Sequence, residues 1–162
     1  MYTASCLWGA IQLKINTEIP KIFVCHCQQC QKAQGSAFVA IAPIHTQDLE
    51  ILRGQEYLGE YYATENKKRV FCKTCASPLF SARLDLPEIV RLRVGIINEP
   101  LKAQIASHAF INYKAAWFEI FDACLFKFDR SAKSCKTTTH DDDLIKMLCI
   151  AIIFVLLHFK IA

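Results

Sequence analysis

Two cysteine stretches carry most of the chemistry that residue types and spacing in this chain can support. They are Cys25-His26-Cys27-Gln28-Gln29-Cys30 and Phe71-Cys72-Lys73-Thr74-Cys75. A Cys-x-Cys-x-x-Cys run can curl so that three sulfurs turn toward one tetrahedral ion. Cys-x-x-Cys is the usual half of a zinc knuckle and borrows its remaining thiolates from elsewhere in the chain. Zn2+ favours four ligands, and a site with three protein ligands keeps a position open for water or substrate. The spacing predicts one open zinc site, on Cys25, Cys27 and Cys30, and one closed site around Cys72 and Cys75.

The rest of the composition narrows the setting in which such sites work. A chain of 162 residues is one domain, or one domain with a tail, and can bury a proper core. Nine cysteines could form a disulfide scaffold, but nine is odd and the spacing of the early ones suits metal better. No positively charged leader with an apolar core precedes Cys6, so a reducing, cytoplasmic setting is expected. The net charge of +4 is spread over single Lys and Arg residues, which gives no basic stripe for nucleic acid.

Short strands separated by turn residues must hold the cysteines in place. Ile11, Leu13 and Ile15 alternate with Gln12 and Lys14, as in a half-buried strand. Ile22-Phe23-Val24 is a short apolar run that delivers the first cysteine cluster, and residues 31–35 read as a polar turn or a single helical turn. Residues 36–41 form a strand that Pro43 should stop, and residues 49–53, 57–62 and 79–84 are further strands. Lys67-Lys68-Arg69 reads as part of a solvated hairpin connection, with an anion-binding edge as the alternative. Asp85-Leu86-Pro87 reads as a turn. Beyond it Val90, Leu92 and Val94 share one face of a strand, and Arg91 and Arg93 the other. Aromatics from Phe110 to Phe128 close a core around a pocket, with Trp117 and Phe118 read as core. The sum is a mainly β domain.

Composition changes near residue 129. A polar linker is expected over 130–143, and an apolar C-terminal segment, helical in character, over 144–162. The thirteen residues between Lys146 and Lys160 would span about 20 Å as helix, short of the roughly 30 Å bilayer core. Snorkelling lysines narrow that gap, so weak membrane association is one reading of the segment. A helix packed back on the domain, or an incidental exposed extension, are the others. Cys124, Cys135 and Cys149 match no ligand spacing.

The chain resembles the glutathione-dependent formaldehyde-activating enzyme family, which includes centromere protein V-like proteins and has the Mss4-like β-tent fold. The resemblance covers roughly residues 2–129. Its blocks are Ser5-Cys6-Leu7-Trp8-Gly9-Ala10, the first cysteine run continued to Ser36, and the second continued to Phe80. Two more are Gly95-Ile96-Ile97-Asn98-Glu99-Pro100 and Lys114-Ala115-Ala116-Trp117-Phe118-Glu119-Ile120. It implies a domain over 1–129 with two zinc sites. One is structural, on Cys6, Cys72, Cys75 and the residue at position 8. The other, on Cys25, Cys27 and Cys30, is taken as catalytic. Position 8 is Trp8 here, which leaves the structural site one ligand short. Ala76 stands where the family usually has glycine, at a cost if that backbone needs positive φ.

The function implied is a zinc-dependent carbon–sulfur lyase or synthase acting on a thiol–aldehyde adduct such as S-(hydroxymethyl)glutathione. A non-enzymatic zinc module that binds a partner protein, or a degenerate low-activity copy, is the alternative. No nucleic-acid partner is expected. His26, between two ligands, is a candidate to close or support the site, but neighbours on a curled loop point apart, so it is expected to face solvent or bond the backbone. His108 is read either as facing the pocket or as a satisfied sheet residue. Gln28, Gln29, Lys32 and Ser36 are expected mainly on the surface.

Overall fold

Eleven strands and one short helix account for most of the chain that the computed structural model describes, residues 1–120 and the strand Phe126–Phe128. The expected linker 130–143, the apolar segment 144–162, and Cys124, Cys135 and Cys149 lie outside the described residues. In chain order the strands are β1 (Tyr2–Ser5), β2 (Gln12–Ile15), β3 (Lys21–Cys25), β4 (Val39–His45), β5 (Leu49–Arg53) and β6 (Leu58–Thr64). They continue as β7 (Lys67–Cys72), β8 (Pro78–Arg83), β9 (Leu86–Arg93), β10 (Gln104–Ala109) and β11 (Phe126–Phe128), with helix α1 (Gln28–Gln34) between β3 and β4.

A three-stranded sheet, β1-β2-β5, lies beside an eight-stranded one in the order β11-β10-β3-β4-β9-β8-β7-β6. The core forms where their apolar faces meet. Ala4, Ile11, Leu13 and Ile15 come from the small-sheet side, and Ala42, Ile44, Val70, Ala82, Val90 and Leu92 from the large sheet. The predicted alternation in β2 holds, since Ile11, Leu13 and Ile15 are all fully buried. Neighbouring strands are antiparallel except where β10 pairs with β3 and β11.

Several turns differ from expectation, each for a local reason. Pro43 does not stop β4; it sits inside the strand, opposite Arg91. On its other side β4 pairs with β3 only from Val39 to Ile41, so at Pro43 that flank is an edge and the missing N–H costs no ladder bond. The turn expected at residues 85–87 is shorter, and Leu86 and Pro87 already belong to β9. Lys67, Lys68 and Arg69 are not a solvated loop but the first half of β7, each half-buried.

Register assigns the large sheet's second face. Arg69, Ser81, Arg91 and Pro43 form one row across β7, β8, β9 and β4. Arg93, Ile41 and Phe23 form the next, and Cys25 pairs with Val39 beyond it. Side chains two apart share a face. Cys25, Arg69, Arg91 and Arg93 therefore project from the side opposite the core, where α1 also lies.

Candidate metal centres

The first cluster is made by the junction of β3 and α1. Cys25 ends the strand, Cys27 is the helix N-cap with extended backbone, and Cys30 lies in the first turn. The Cys27 carbonyl accepts from the N–H groups of Cys30 (2.9 Å) and Gln31 (3.0 Å), which wraps residue 30 back over residue 27. Cys27 makes no side-chain capping bond, so its sulfur is free for other work. The result is three Sγ atoms all within 4.8 Å of one another, a group that could hold a metal ion. Gly35, left-handed at φ 61°, ends the helix.

The thiols of Cys25 and Cys30 hydrogen-bond each other. A hydrogen bond with Cys30 is the main reason that Cys25 is pushed up, with burial adding to it. The same bond is the main reason that Cys30 is held down to about 5, and Lys67 and Arg69 favour its thiolate as well. The basic strand β7 thus lies within electrostatic reach of the cluster.

His26 corrects the sequence reading. Its neighbours Cys25 and Cys27 do point away from it, but the space on its own side is protein rather than solvent. The side chain is fully buried, with Nε2 2.8 Å from Nδ1 of His108 on β10. The two rings stack at 5.1 Å, and Phe38 and Phe118 enclose His26 at 5.8 and 5.9 Å. Burial, then His108, lowers its pKa, against a smaller opposing effect of the Ala37 backbone. The His26 N–H donates to the Ala109 carbonyl (3.0 Å), and the Gln31 amide donates to the carbonyls of His26 (2.5 Å) and Tyr113 (2.6 Å). These bonds fasten the ligand loop to β10 and the turn after it. Gln28, Gln29, Lys32 and Ser36 are exposed as expected. Trp117 is also exposed, not core, while Phe118 packs on Phe38 at 5.1 Å.

The second cluster gathers Cys6, just after β1, with Cys72 and Cys75 around the β7–β8 turn, again with all Sγ atoms within 4.8 Å. The knuckle is closed by Ala76 N–H donating to the Cys72 carbonyl (2.9 Å) and Cys72 N–H to that of Ser77 (3.0 Å). Ala76 adopts φ 57°, so the expected positive φ is real and alanine carries its cost. Leu7 N–H donates to Ser77 Oγ (2.8 Å), and Ser77 Oγ lies 3.2 Å from Cys75 Sγ. Chiefly through that hydroxyl, Cys75 is lowered to about 6, while burial raises Cys72. Trp8 directs its ring outward, 56% exposed and edge-on to Tyr57 at 5.4 Å, and its backbone N–H favours the Cys75 thiolate.

Arg93 was missed by sequence reading. Alternation in β9 suggests a solvent-facing arginine, yet it is 6% exposed and its Nε has no hydrogen-bond partner. Burial pulls its pKa down to about 10, against the Cys30 and Cys25 sulfurs, which favour its charge. It borders a cleft of about 580 Å³ together with Gln34, Phe38, Val39 and Asn98. No signal in one strand's sequence could have shown that both of its faces are covered.

A mainly β fold carrying two cysteine clusters that could each hold a metal ion defines the class. The chain belongs to the glutathione-dependent formaldehyde-activating enzyme family, whose model matches residues 1–113. It is 36% identical over 81 residues to an uncharacterized lyase of Schizosaccharomyces pombe, a match over 50% of this chain and 57% of that protein. It is 29% identical over 123 residues, 72% of this chain and 78% of the other, to a Halomonas elongata protein named "Putative glutathione-dependent formaldehyde-activating enzyme". Among solved structures, a Rhodobacter sphaeroides protein shares the fold at TM-score 0.50 and 21% identity, over 78% of this chain and 98% of that one. No helix among the described residues is long and apolar enough to cross a membrane.

Proposed function

We propose that the chain is a zinc-dependent carbon–sulfur lyase or synthase acting on thiol–aldehyde adducts such as S-(hydroxymethyl)glutathione, with Cys25, Cys27 and Cys30 as its catalytic metal ligands. The observation that carries this reading is the count at the first cluster. Three sulfurs converge there and, as at the second cluster, no fourth Cys, His, Asp or Glu among the described residues joins them. At the second cluster Trp8 stands where the family has its fourth ligand, which leaves the first as the site open in the family pattern itself. His26, the nearest candidate, turns its Nε2 to His108 instead. An all-sulfur donor set suits a soft or borderline ion such as Zn2+. The family and the names of the relatives supply the substrate class.

Bound there, zinc would offer an open position that can hold a thiolate sulfur or polarise an adduct's oxygen. Three thiolates outweigh the ion's charge, which favours positioning over strong Lewis acidity. The chain's own contribution is orientation. The His26–His108 pair and Gln31 hold the loop so that Cys25 and Cys27 face one way, and α1 brings Cys30 to meet them. We take the fold to be the Mss4-like β-tent, with Cys6, Cys72 and Cys75 as the structural zinc ligands. We place the protein in the cytoplasm, because thiolate sites need reduced cysteines.

Mixing the zinc-loaded protein with glutathione and formaldehyde and following adduct exchange by NMR tests the activity. Exchange faster than the uncatalysed rate, and lost in Cys30→Ser, is expected; an unchanged rate with zinc bound refutes it. Trp8 favours a second reading, a degenerate copy or a non-enzymatic zinc module, since it removes a ligand that the family supplies. X-ray absorption separates the two. Three sulfurs and one lighter atom at the first cluster fit catalysis, and four sulfurs fit a structural module.

A further inference from the structure

Arg93 is a buried cation that, among the described residues, no carboxylate pairs with. The ion pairs among the described residues are Met1–Glu18, Lys14–Glu50, Lys68–Glu60 and Arg83–Asp85, and none includes it. Removing a guanidinium from water is costly unless its charge and donors are satisfied. The Cys25 and Cys30 sulfurs offset part of the cost, but Arg69 and Arg91 add to it. Arg69 stands on the same sheet face, reaches the Gln29 carbonyl at 3.3 Å with one guanidinium nitrogen, and also has a buried Nε without a partner. The strand register thus gathers cations that look scattered in the sequence. Arg93 and Arg69 lie within electrostatic reach of the first cluster, and Arg93 also borders a cleft that Cys6 lines and that Cys25, Cys27 and Cys30 do not. Two buried Nε–H donors, on Arg69 and Arg93, thus lack a partner on the side of the sheet that carries the first cluster.

We propose that Arg93, assisted by Arg69, is the anchor for a carboxylate of the thiol substrate, so that the site selects carboxylate-bearing thiols over neutral ones. The inference rests on the reading that a thiol ligand occupies the open position at Cys25, Cys27 and Cys30. It adds a specificity-determining contact beside the first cluster. Arginine suits the role because its planar fork of donors matches a carboxylate. The opposing reading is that Arg93 only balances the charge of the thiolates, in which case it would affect acidic and neutral ligands alike.

The test separates the anchor from the metal by using a ligand with no free thiol. Binding of S-methylglutathione and of its diethyl ester to the zinc-loaded full chain is measured by calorimetry, for the natural protein and for Arg93→Met and Arg93→Lys. The acid is expected to bind at least about tenfold more tightly than the ester, the scale of one charge-assisted hydrogen bond. In Arg93→Met that ratio should collapse toward one, and Arg93→Lys should restore part of it. Zinc content and denaturation midpoint check that each variant is folded. If Arg93→Met fails to fold, the acid–ester ratio in the natural protein, and its reduction in Arg69→Gln, still decide the matter. Equal binding of acid and ester by the natural protein, no measurable binding of the acid, or a ratio unchanged in the folded variants overturns the proposal. The functional reading is tested apart from this, by the thiolate charge-transfer band that free glutathione should produce in the cobalt-substituted protein. Its absence alongside an Arg93-dependent acid–ester ratio would sink the thiol-ligation reading and leave the anion site standing.

Discussion

Replacing Trp8 with cysteine should change stability in opposite directions with and without metal. The backbone at position 8 already lies at the second cluster, since its N–H favours the Cys75 thiolate and the Cys6 carbonyl accepts from Gly9 N–H at 2.8 Å. The indole itself is 56% exposed, and its clearest contact is the edge-on pair with Tyr57 at 5.4 Å. Such a pair is worth about 1 kcal/mol, so metal-free Trp8→Cys should be less stable by roughly that amount. With zinc present a fourth thiolate completes the tetrahedron. If it raises zinc affinity about a hundredfold, the gain is roughly 2.7 kcal/mol, at about 1.4 per factor of ten. The variant should then exceed the natural protein by about 1.5–2 kcal/mol, the difference between those two effects. Urea denaturation of the metal-free and zinc-saturated forms, with chelator competition for the second zinc, measures both parts. Unchanged zinc affinity, or an equal loss of stability in both forms, refutes the reasoning.

Other positions give sharper single-site expectations. Ala76→Gly removes a left-handed penalty of about 1–2 kcal/mol and adds an unfolded-state entropy cost of about 0.4–1 kcal/mol. It should therefore stabilise by roughly 0.5–1 kcal/mol, and a lower urea midpoint would contradict this. His108→Phe leaves the fully buried His26 Nε2 without its partner, and should cost about 1–3 kcal/mol and lower zinc affinity at the first cluster. A loss under about 0.5 kcal/mol would show that the pair does not hold the loop. Glu99 accepts from both Thr3 N–H and Thr3 Oγ1 at 2.7 Å, which holds its carboxyl below the usual range. Its contribution is complete above the ordinary value of 4.5 and fades as pH falls through the lowered one. Glu99→Gln should flatten that part of the stability–pH curve, and an identical curve for both proteins would rule the contribution out.

The two cysteine motifs, the convergence of Cys25, Cys27 and Cys30 and the mainly β architecture were legible in the sequence, because each depends on local spacing, whereas Cys6 joined Cys72 and Cys75 only through the family resemblance. Cys27 and Cys30 meet within one helical turn, Cys72 and Cys75 within one knuckle, and alternation names the residues that share a strand face. Even Ala76's positive φ could be anticipated, since the resembled family usually has glycine at that position. Tertiary structure decided what lies against each face. His26 was expected to meet solvent or bond the backbone, and meets His108 and two phenylalanines because the parallel pairing of β10 with β3 covers that side of the loop. Arg93 was assigned only to the strand face opposite Val90 and Leu92, and is buried within electrostatic reach of Cys25 and Cys30. The period of a strand assigns residues to two faces, but only contacts between segments distant in sequence determine whether a face meets water, protein or a ligand's charge.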